Sequence, residues 1–421
     1  MKNKFMSGFL SGLAGALFIF TILLTIYVTQ VEGNDSGNLG TNTASENREQ
    51  DNSAAAAEGS TSSSDAVLQK INKLETLIDR FYMEDVDRDK MADGIYKGLL
   101  ASLGDPYSCY YTADEYKALM ESSSGVYCGI GATVSQNVTT GVISIVKPFL
   151  NSPAHEAGLL PGDIVYKVNG EEVTGKDLTE VVSRIKGEEG TSAKITIIRE
   201  GKTEPMEFTI PRKTVEVPTI EYEMLDGKIG YIAVSEFDEV TAEQFRKAVD
   251  DLEKQGEKGL VIDIRNNPGG LLDTVVDMLD RMLPKGLIVY TEDKYGSREE
   301  KYSDGKEEFK KPLAVLINGN SASASEIFAG AIQDYKRGTV VGTTSFGKGI
   351  VQSIIPLFDG TAIKVTVSKY YTPNGKNIHG IGISPDVKVD LNDKLKTQVV
   401  IDKKDDNQLQ KAIEVIKSKI K

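Results

Sequence analysis

Apolar side chains recur at three- and four-residue spacing at Leu68, Ile71, Leu74, Leu77, Ile78 and Phe81, which predicts a helix from about Asp65. A second helix, Lys90 to Ser102, stops at Gly104-Asp105-Pro106-Tyr107-Ser108, and a short third one runs from Ala113 to Ser122. From Val126 to Pro211 the pattern alternates as strands do, broken by one helix from Asp177 to Lys186. After about Thr214 the rhythm changes again. Lys228 to Val234 reads as a strand, Thr241 to Gln255 as an amphipathic helix, and Gly259 to Ile264 as a buried strand. Then come Arg265-Asn266-Asn267-Pro268-Gly269-Gly270, a helix from Leu271 to Leu283, and a buried strand from Leu313 to Ile317. Ile327, Phe328, Ala331, Ile332 and Tyr335 return to helical spacing, and Ile350 to Pro356 and Thr361 to Tyr370 read as strands. Strand, glycine-rich turn and helix in repetition indicate an α/β core.

The ends of the chain differ from this. Lys2 and Lys4 precede a nearly uncharged apolar stretch from Phe5 to Val28, long enough to span a bilayer as a helix. The leading lysines favour an orientation with the remainder outside the cytoplasm. A cleaved signal peptide needs small residues after the apolar core, and Ile26-Tyr27-Val28-Thr29-Gln30 does not supply them. Residues 1–30 are therefore expected to be a transmembrane signal anchor, giving a single-pass protein of the cell membrane with the remainder extracytoplasmic. Residues 31–64, rich in Asn, Ser, Thr and Gly, bury too little to fold and are expected to be a disordered tether. The rest divides into a helical region 65–125, an alternating domain 126–211, an α/β core 212–392 and a helical tail 393–421.

Composition narrows the chemistry. The 421 residues carry a formal net charge of −13, which argues against nucleic acid as a partner. Two histidines and two cysteines lack any His-x-x-x-His or Cys-x-x-Cys spacing, so neither a zinc site nor another cofactor is expected. Cys109 and Cys128 form one disulfide or remain two thiols, and spacing does not choose between these.

The chemically suggestive stretch is Asn318-Gly319-Asn320-Ser321-Ala322-Ser323-Ala324-Ser325-Glu326. It sets a row of serines on a strand-to-helix turn, where free N–H groups and the helix dipole suit a developing oxyanion. A base is still needed. His155 lies in Ser152-Pro153-Ala154-His155-Glu156-Ala157-Gly158, in a separate module, and His379 lies in a glycine-rich loop, so a Ser-His-Asp triad is disfavoured. A lysine made neutral by burial is the other common activator of a hydroxyl. Lys348, between Gly347 and Gly349 with Phe346, Ile350 and Val351 nearby, has that setting, although an ordinary turn lysine fits the same residues. Gly342 to Lys348 nearly spells a P-loop, but Gly349 stands where Ser or Thr must hold magnesium, and strands follow instead of a helix. Asp273-Thr274-Val275 lacks the glycine of an aspartic-protease loop and falls inside a helix.

Ser-Ala-Ser-Ala-Ser-Glu-Ile, followed by Phe-Gly-Lys-Gly-x-Val-Gln, resembles the active site of the C-terminal processing peptidases, also called tail-specific proteases. The resemblance covers about residues 65 to 390. It implies a ClpP/crotonase-like protease core with Ser323 as nucleophile, Lys348 as general base and Gln352 orienting the lysine. It implies an oxyanion hole from the N–H groups of Gly269 and Ala324. Gly129-Ile130-Gly131, Ser152-Pro153-Ala154, Ala157-Gly158-Leu159, Pro161-Gly162-Asp163-Ile164-Val165 and Val168-Asn169-Gly170 together resemble a PDZ domain. Such domains add a peptide as a strand and hold its carboxylate in backbone N–H groups, here those around Gly129, Ile130 and Gly131. Arg184 is a candidate for sensing the loaded state, with a solvated helix arginine as the alternative. The helical region is implied to serve as a dimerisation arm. The expected function is a membrane-anchored serine endopeptidase acting on proteins with free C-termini. The alternative is a catalytically inactive, membrane-tethered PDZ scaffold.

Overall fold

The computed structural model describes residues 59–396, 398 and 401–420. The expected membrane anchor and most of the tether lie outside the described residues. Among the described residues no helix is long and apolar enough to cross a membrane.

The chain forms two compact units. In the described part of the smaller, helix α1 (Gly59–Phe81) is followed by α2 (Arg88–Ala101). Asp87 caps α2 by accepting from the Lys90 N–H at 3.1 Å, and Arg88 pairs with Asp79 of α1. No residue of α2 is buried, and Leu68, Leu74, Phe81 and Leu99 are exposed. A short strand β1 (Cys109–Tyr111) follows.

In the described part of the larger unit the first helix is α3 (Ala113–Ser124), which carries a Thr112/Glu115 capping box and ends on Gly125 in the left-handed region at φ 65°. Strand β2 (Val126–Gly129) pairs antiparallel with β9 (Lys213–Glu216), and these two strands bracket an intervening sheet. That sheet runs β3 (Ala132–Gln136), β4 (Ile143–Pro148), β5 (Ile164–Val168), β7 (Ser192–Ile198), β8 (Met206–Pro211), with β6 (Glu171–Glu172) beside β5. The alternation read from the sequence is visible in β7, where Ala193, Ile195 and Ile197 are buried and their neighbours are not. Helices α4 (Pro153–Glu156) and α5 (Leu178–Ile185) cover it, α5 burying Val181 and Ile185.

The core sheet has the order β10 (Ile220–Leu225), β11 (Ile229–Val234), β12 (Gly259–Asp263), β15 (Leu313–Ile317), β16 (Thr339–Gly342), β19 (Val387–Lys388). All pairs beyond β10–β11 are parallel. Every residue of β12 and β15 is buried, because both faces of the sheet are covered. On one face Leu260, Ile262, Val315 and Ile317 meet helices α6 (Thr241–Lys254), α7 (Leu272–Asp280) and α8 (Ala324–Asp334). On the other Val261, Ala314 and Leu316 meet Leu409, Ala412, Ile413 and Ile416 of α9 (Asn407–Lys419). Arg265, just after β12, locks α9 in place through Asp263 (2.5 Å) and Asp406 (2.7 Å), the latter being the N-cap of α9. A second sheet holds β13 (Gly286–Asp293), β14 (Arg298–Ser303) and the hairpin β17 (Ile350–Pro356)–β18 (Ala362–Tyr371).

Candidate active site

Parallel strands in register leave the sheet at the same edge. Leu260 pairs with Leu313 and Asp263 with Leu316, so the turns after β12 and β15 emerge side by side. This is the usual place for a site in such sheets. The turn after β12 holds Asn267 and Gly269, and that after β15 holds the serines. Asn267, fully buried, fastens them together. Its carbonyl accepts from the Ala322 N–H (3.1 Å) and the Ser325 hydroxyl (2.9 Å), while its amide donates to the Val234 carbonyl at 3.0 Å.

Ser323 is half-buried and stands at the N-cap of α8 with φ 55° and ψ −115°. This is a conformation that a non-glycine residue holds only when its surroundings impose it. Its N–H donates to Glu326 Oε2 at 3.0 Å, and its carbonyl accepts from the Tyr370 phenol at 3.1 Å. Ser321 and Ser325 brace the turns. Ser321 donates to the Ile264 carbonyl at 2.8 Å, and Ser325 donates to that of Asn267. The helix N-terminus is left to Ser323 and Glu326.

Glu326 is the residue that sequence reasoning passed over. It is completely buried, and its carboxylate accepts from four donors: Ser323 N–H (3.0 Å), Lys348 N–H (2.8 Å), Gly347 N–H (2.7 Å) and the Ser345 hydroxyl (2.5 Å). Burial pushes its carboxyl up, and the four donors pull the other way. The capping-box spacing of Ser323 and Glu326 was visible in the sequence; the reach to residues 345–348 was not.

Lys348 is half-buried in the segment between β16 and β17. Its flanking glycines have a steric reason. A Cβ on Gly349 would lie 2.5 Å from the His379 N, and one on Gly347 would lie 3.1 Å from the Gly382 N. The 378–382 loop thus presses directly on the lysine segment, with the Gly380 N–H donating to the Gly347 carbonyl at 2.8 Å. The side chains of His379 and His155 are both exposed. Gln352, on β17, donates to Thr366 Oγ1 of β18 at 3.2 Å.

Of the two expected oxyanion donors, Ala324 N–H is the first of α8 and has no acceptor within the helix. Gly269 lies against Ser323, since a Cβ added to it would sit 2.8 Å from Ser323 Cβ. Its own N–H donates to Asn267 Oδ1 at 2.8 Å. Among the described residues no cluster of His, Cys, Asp and Glu could hold a metal ion. Cys109 and Cys128 are both free thiols.

The alternating domain carries a groove of about 200 Å³ between β3 and α5, lined by Tyr127, Ile130, Ala132, Val134, Phe149, Val182, Ile185 and Lys186. Gly131 adopts φ 74°, and a Cβ there would meet Ser152 Cβ at 2.4 Å. Its neighbour Gly129 packs against the Tyr127 ring. Arg184 is engaged by Glu171 and Glu180, the latter at 2.6 Å, and the basic residue on the groove is Lys186, which the sequence did not single out.

Comparison with known proteins places this geometry. The profile of peptidase family S41 matches residues 228–389, that of the activating protease CtpB N-terminal domain residues 20–115, and a PDZ profile residues 150–199. Carboxy-terminal processing protease CtpA of Bacillus subtilis (strain 168) is 39% identical over 346 residues, covering 82% of this chain and 74% of the relative. The carboxy-terminal-processing protease of Bartonella bacilliformis is 40% identical over 317 residues, covering 73% of this chain and 72% of the relative. The solved structure of an S41 protease candidate from Bacteroides fragilis shares the fold, with TM-score 0.50 at 20% identity, over 76% of this chain and 90% of that one. The chain belongs to peptidase family S41, among the carboxy-terminal processing serine proteases that carry a PDZ domain.

Proposed function

We propose that the protein is a membrane-anchored, extracytoplasmic serine endopeptidase that cuts proteins near their C-termini by a Ser323/Lys348 dyad. Neutral Lys348 takes the Ser323 hydroxyl proton as Oγ attacks the scissile carbonyl carbon. The tetrahedral oxyanion is held by the N–H of Ala324 and that of Gly269, which has to leave Asn267 Oδ1 to reach it. The protonated lysine returns its proton to the departing amine. Water, deprotonated by Lys348, then hydrolyses the acyl-enzyme and regenerates Ser323. Gln352 orients the lysine. The observation that supports this reading best is the carboxylate of Glu326, which binds the backbone of the serine turn and that of the lysine segment at one oxygen atom.

The PDZ domain reads the substrate's free C-terminus. Its apolar groove and the backbone around Gly129, Ile130 and Gly131 support that assignment. The apolar stretch Phe5–Val28 supports the anchor, and the exposed apolar residues of α1 and α2 support pairing of two copies through the arm.

A peptidase assay decides between this function and an inactive PDZ scaffold. Ser323→Ala and Lys348→Ala should each abolish cleavage while the thermal melt is retained. A double variant with His155 and His379 both replaced by alanine should keep most turnover. Full activity in either dyad variant, or none in the folded histidine variant, rejects the dyad. Sedimentation of the full chain with membranes, against release of a fragment starting at Asp65, tests the anchor.

A further inference from the structure

In a PDZ domain that holds a terminal carboxylate, the receiving groups are successive backbone N–H donors of a glycine-rich turn, a concavity suited to an anion. Here those donors belong to the turn running through Gly131 into Ala132, where Gly131 has φ 74°. The Tyr127 side chain already lies there. Its ring is packed on Gly129, where an added Cβ would sit 2.7 Å from Tyr127 Cε2. Its side chain lines the groove beside Ile130 and Ala132, and the N–H groups of Ala132 and Gly131 draw the proton affinity of its hydroxyl down. Burial outweighs them and pushes the hydroxyl up to about 12, so the oxygen stays neutral at physiological pH. The Lys186 ammonium closes the arrangement, standing 4.7 Å over the Tyr127 ring while pairing with Glu121 at 2.8 Å.

Tyr127 does not come from the PDZ sheet. It sits on β2, paired with Val215 of β9, in the ribbon through which the chain enters and leaves the domain. Val215 itself touches the turn, since a Cβ on Gly131 would lie 3.3 Å from Val215 Cγ1.

We propose that Tyr127 is a removable plug in the terminal-carboxylate site, delivered by the ribbon that joins the PDZ domain to the protease core. The proposal rests on the reading that the PDZ domain binds substrate C-termini. A carboxylate makes stronger, charge-assisted bonds to the same N–H groups than a neutral phenol does, so an arriving tail displaces the oxygen. The ring then has to leave Gly129, and the ribbon that carries it has to move. Loading of the groove is thereby felt on the strands that connect to the core. The plug also sets a threshold, because a tail without a free carboxylate has no advantage over the phenol.

The test is a titration of the full-length chain carrying Ser323→Ala, which keeps the peptide intact. The probes are a fluorescent peptide ending in two valines and its C-terminal amide. Tyr127→Phe keeps the ring and removes the oxygen. It should tighten binding of the free acid by roughly fivefold, the worth of one competing hydrogen bond, and leave the amide unchanged. Tyr127→Leu, which clears the ring as well, should shift the free acid in the same direction. If the acid still binds better than the amide but neither variant tightens it, the plug is wrong while the PDZ reading stands. If acid and amide bind equally in every variant, the PDZ reading fails and the plug with it.

Discussion

The buried carboxylate of Glu326 accepts a hydrogen bond from the backbone N–H of Lys348 at 2.8 Å, although the two residues belong to different turns of the core. The same oxygen holds the Ser323 N–H at 3.0 Å. The turn that carries Ser323 and the segment that carries Lys348 are therefore positioned by one group.

Glu326→Gln should separate positioning from chemistry. The amide keeps the shape but turns two N–H donors toward groups that need an acceptor. A buried donor left unpaired costs about 1–3 kcal/mol, so the melting temperature should fall. The turnover number should fall by roughly 10²-fold, the order expected when a reacting group is displaced by about 1 Å. KM should change far less than kcat. An unchanged kcat in the folded variant contradicts the positioning role.

Gly269→Ala should be nearly inactive. Its φ of 110° lies where side chains are rarely tolerated, and the new methyl would stand 2.8 Å from both the Ala322 carbonyl oxygen and Ser323 Cβ. Relief of that contact moves the turn proposed to supply one oxyanion donor, a loss of about 10²–10³-fold in kcat. Steady-state kinetics beside a thermal melt reads both effects. The neighbouring Pro268→Ala, which adds no such contact, is the control and should retain activity.

Asp238 gives a pH dependence with a definite sign. It is buried, and burial together with the nearby Glu236 pushes its carboxyl from 3.8 up to about 7. Between those values the folded chain binds more protons than the unfolded one, so this group makes stability fall as pH rises from about 4 to about 7. Asp238→Asn removes that contribution. The variant should gain stability over the parent above pH ~7 and lose the advantage near pH ~4. Chemical denaturation at the two ends of that range measures it, and a difference independent of pH overturns the assignment. Glu236, also pushed up by burial, should leave a residual slope.

Much of this protein was legible before any coordinates. Leu313–Ile317 read as a buried strand because a parallel strand covered on both faces has no polar position. The helix after Ser323 read from its 3.6-residue period. The paired serine and lysine motifs named the family, since each motif lies within one short segment.

What only the tertiary structure decided are contacts between segments distant along the chain. Glu326 meeting Lys348, Asn267 meeting Ala322 and Ser325, and Tyr370 meeting Ser323 all depend on which strands are neighbours at one edge of the sheet. The same holds for Tyr127 against Gly129 and for Lys186 on the groove. Periodicity tells which face of an element is buried, and it carries no record of what that face or turn is buried against. That is set by the order of strands and by the packing of loops, a property of the whole chain closing on itself.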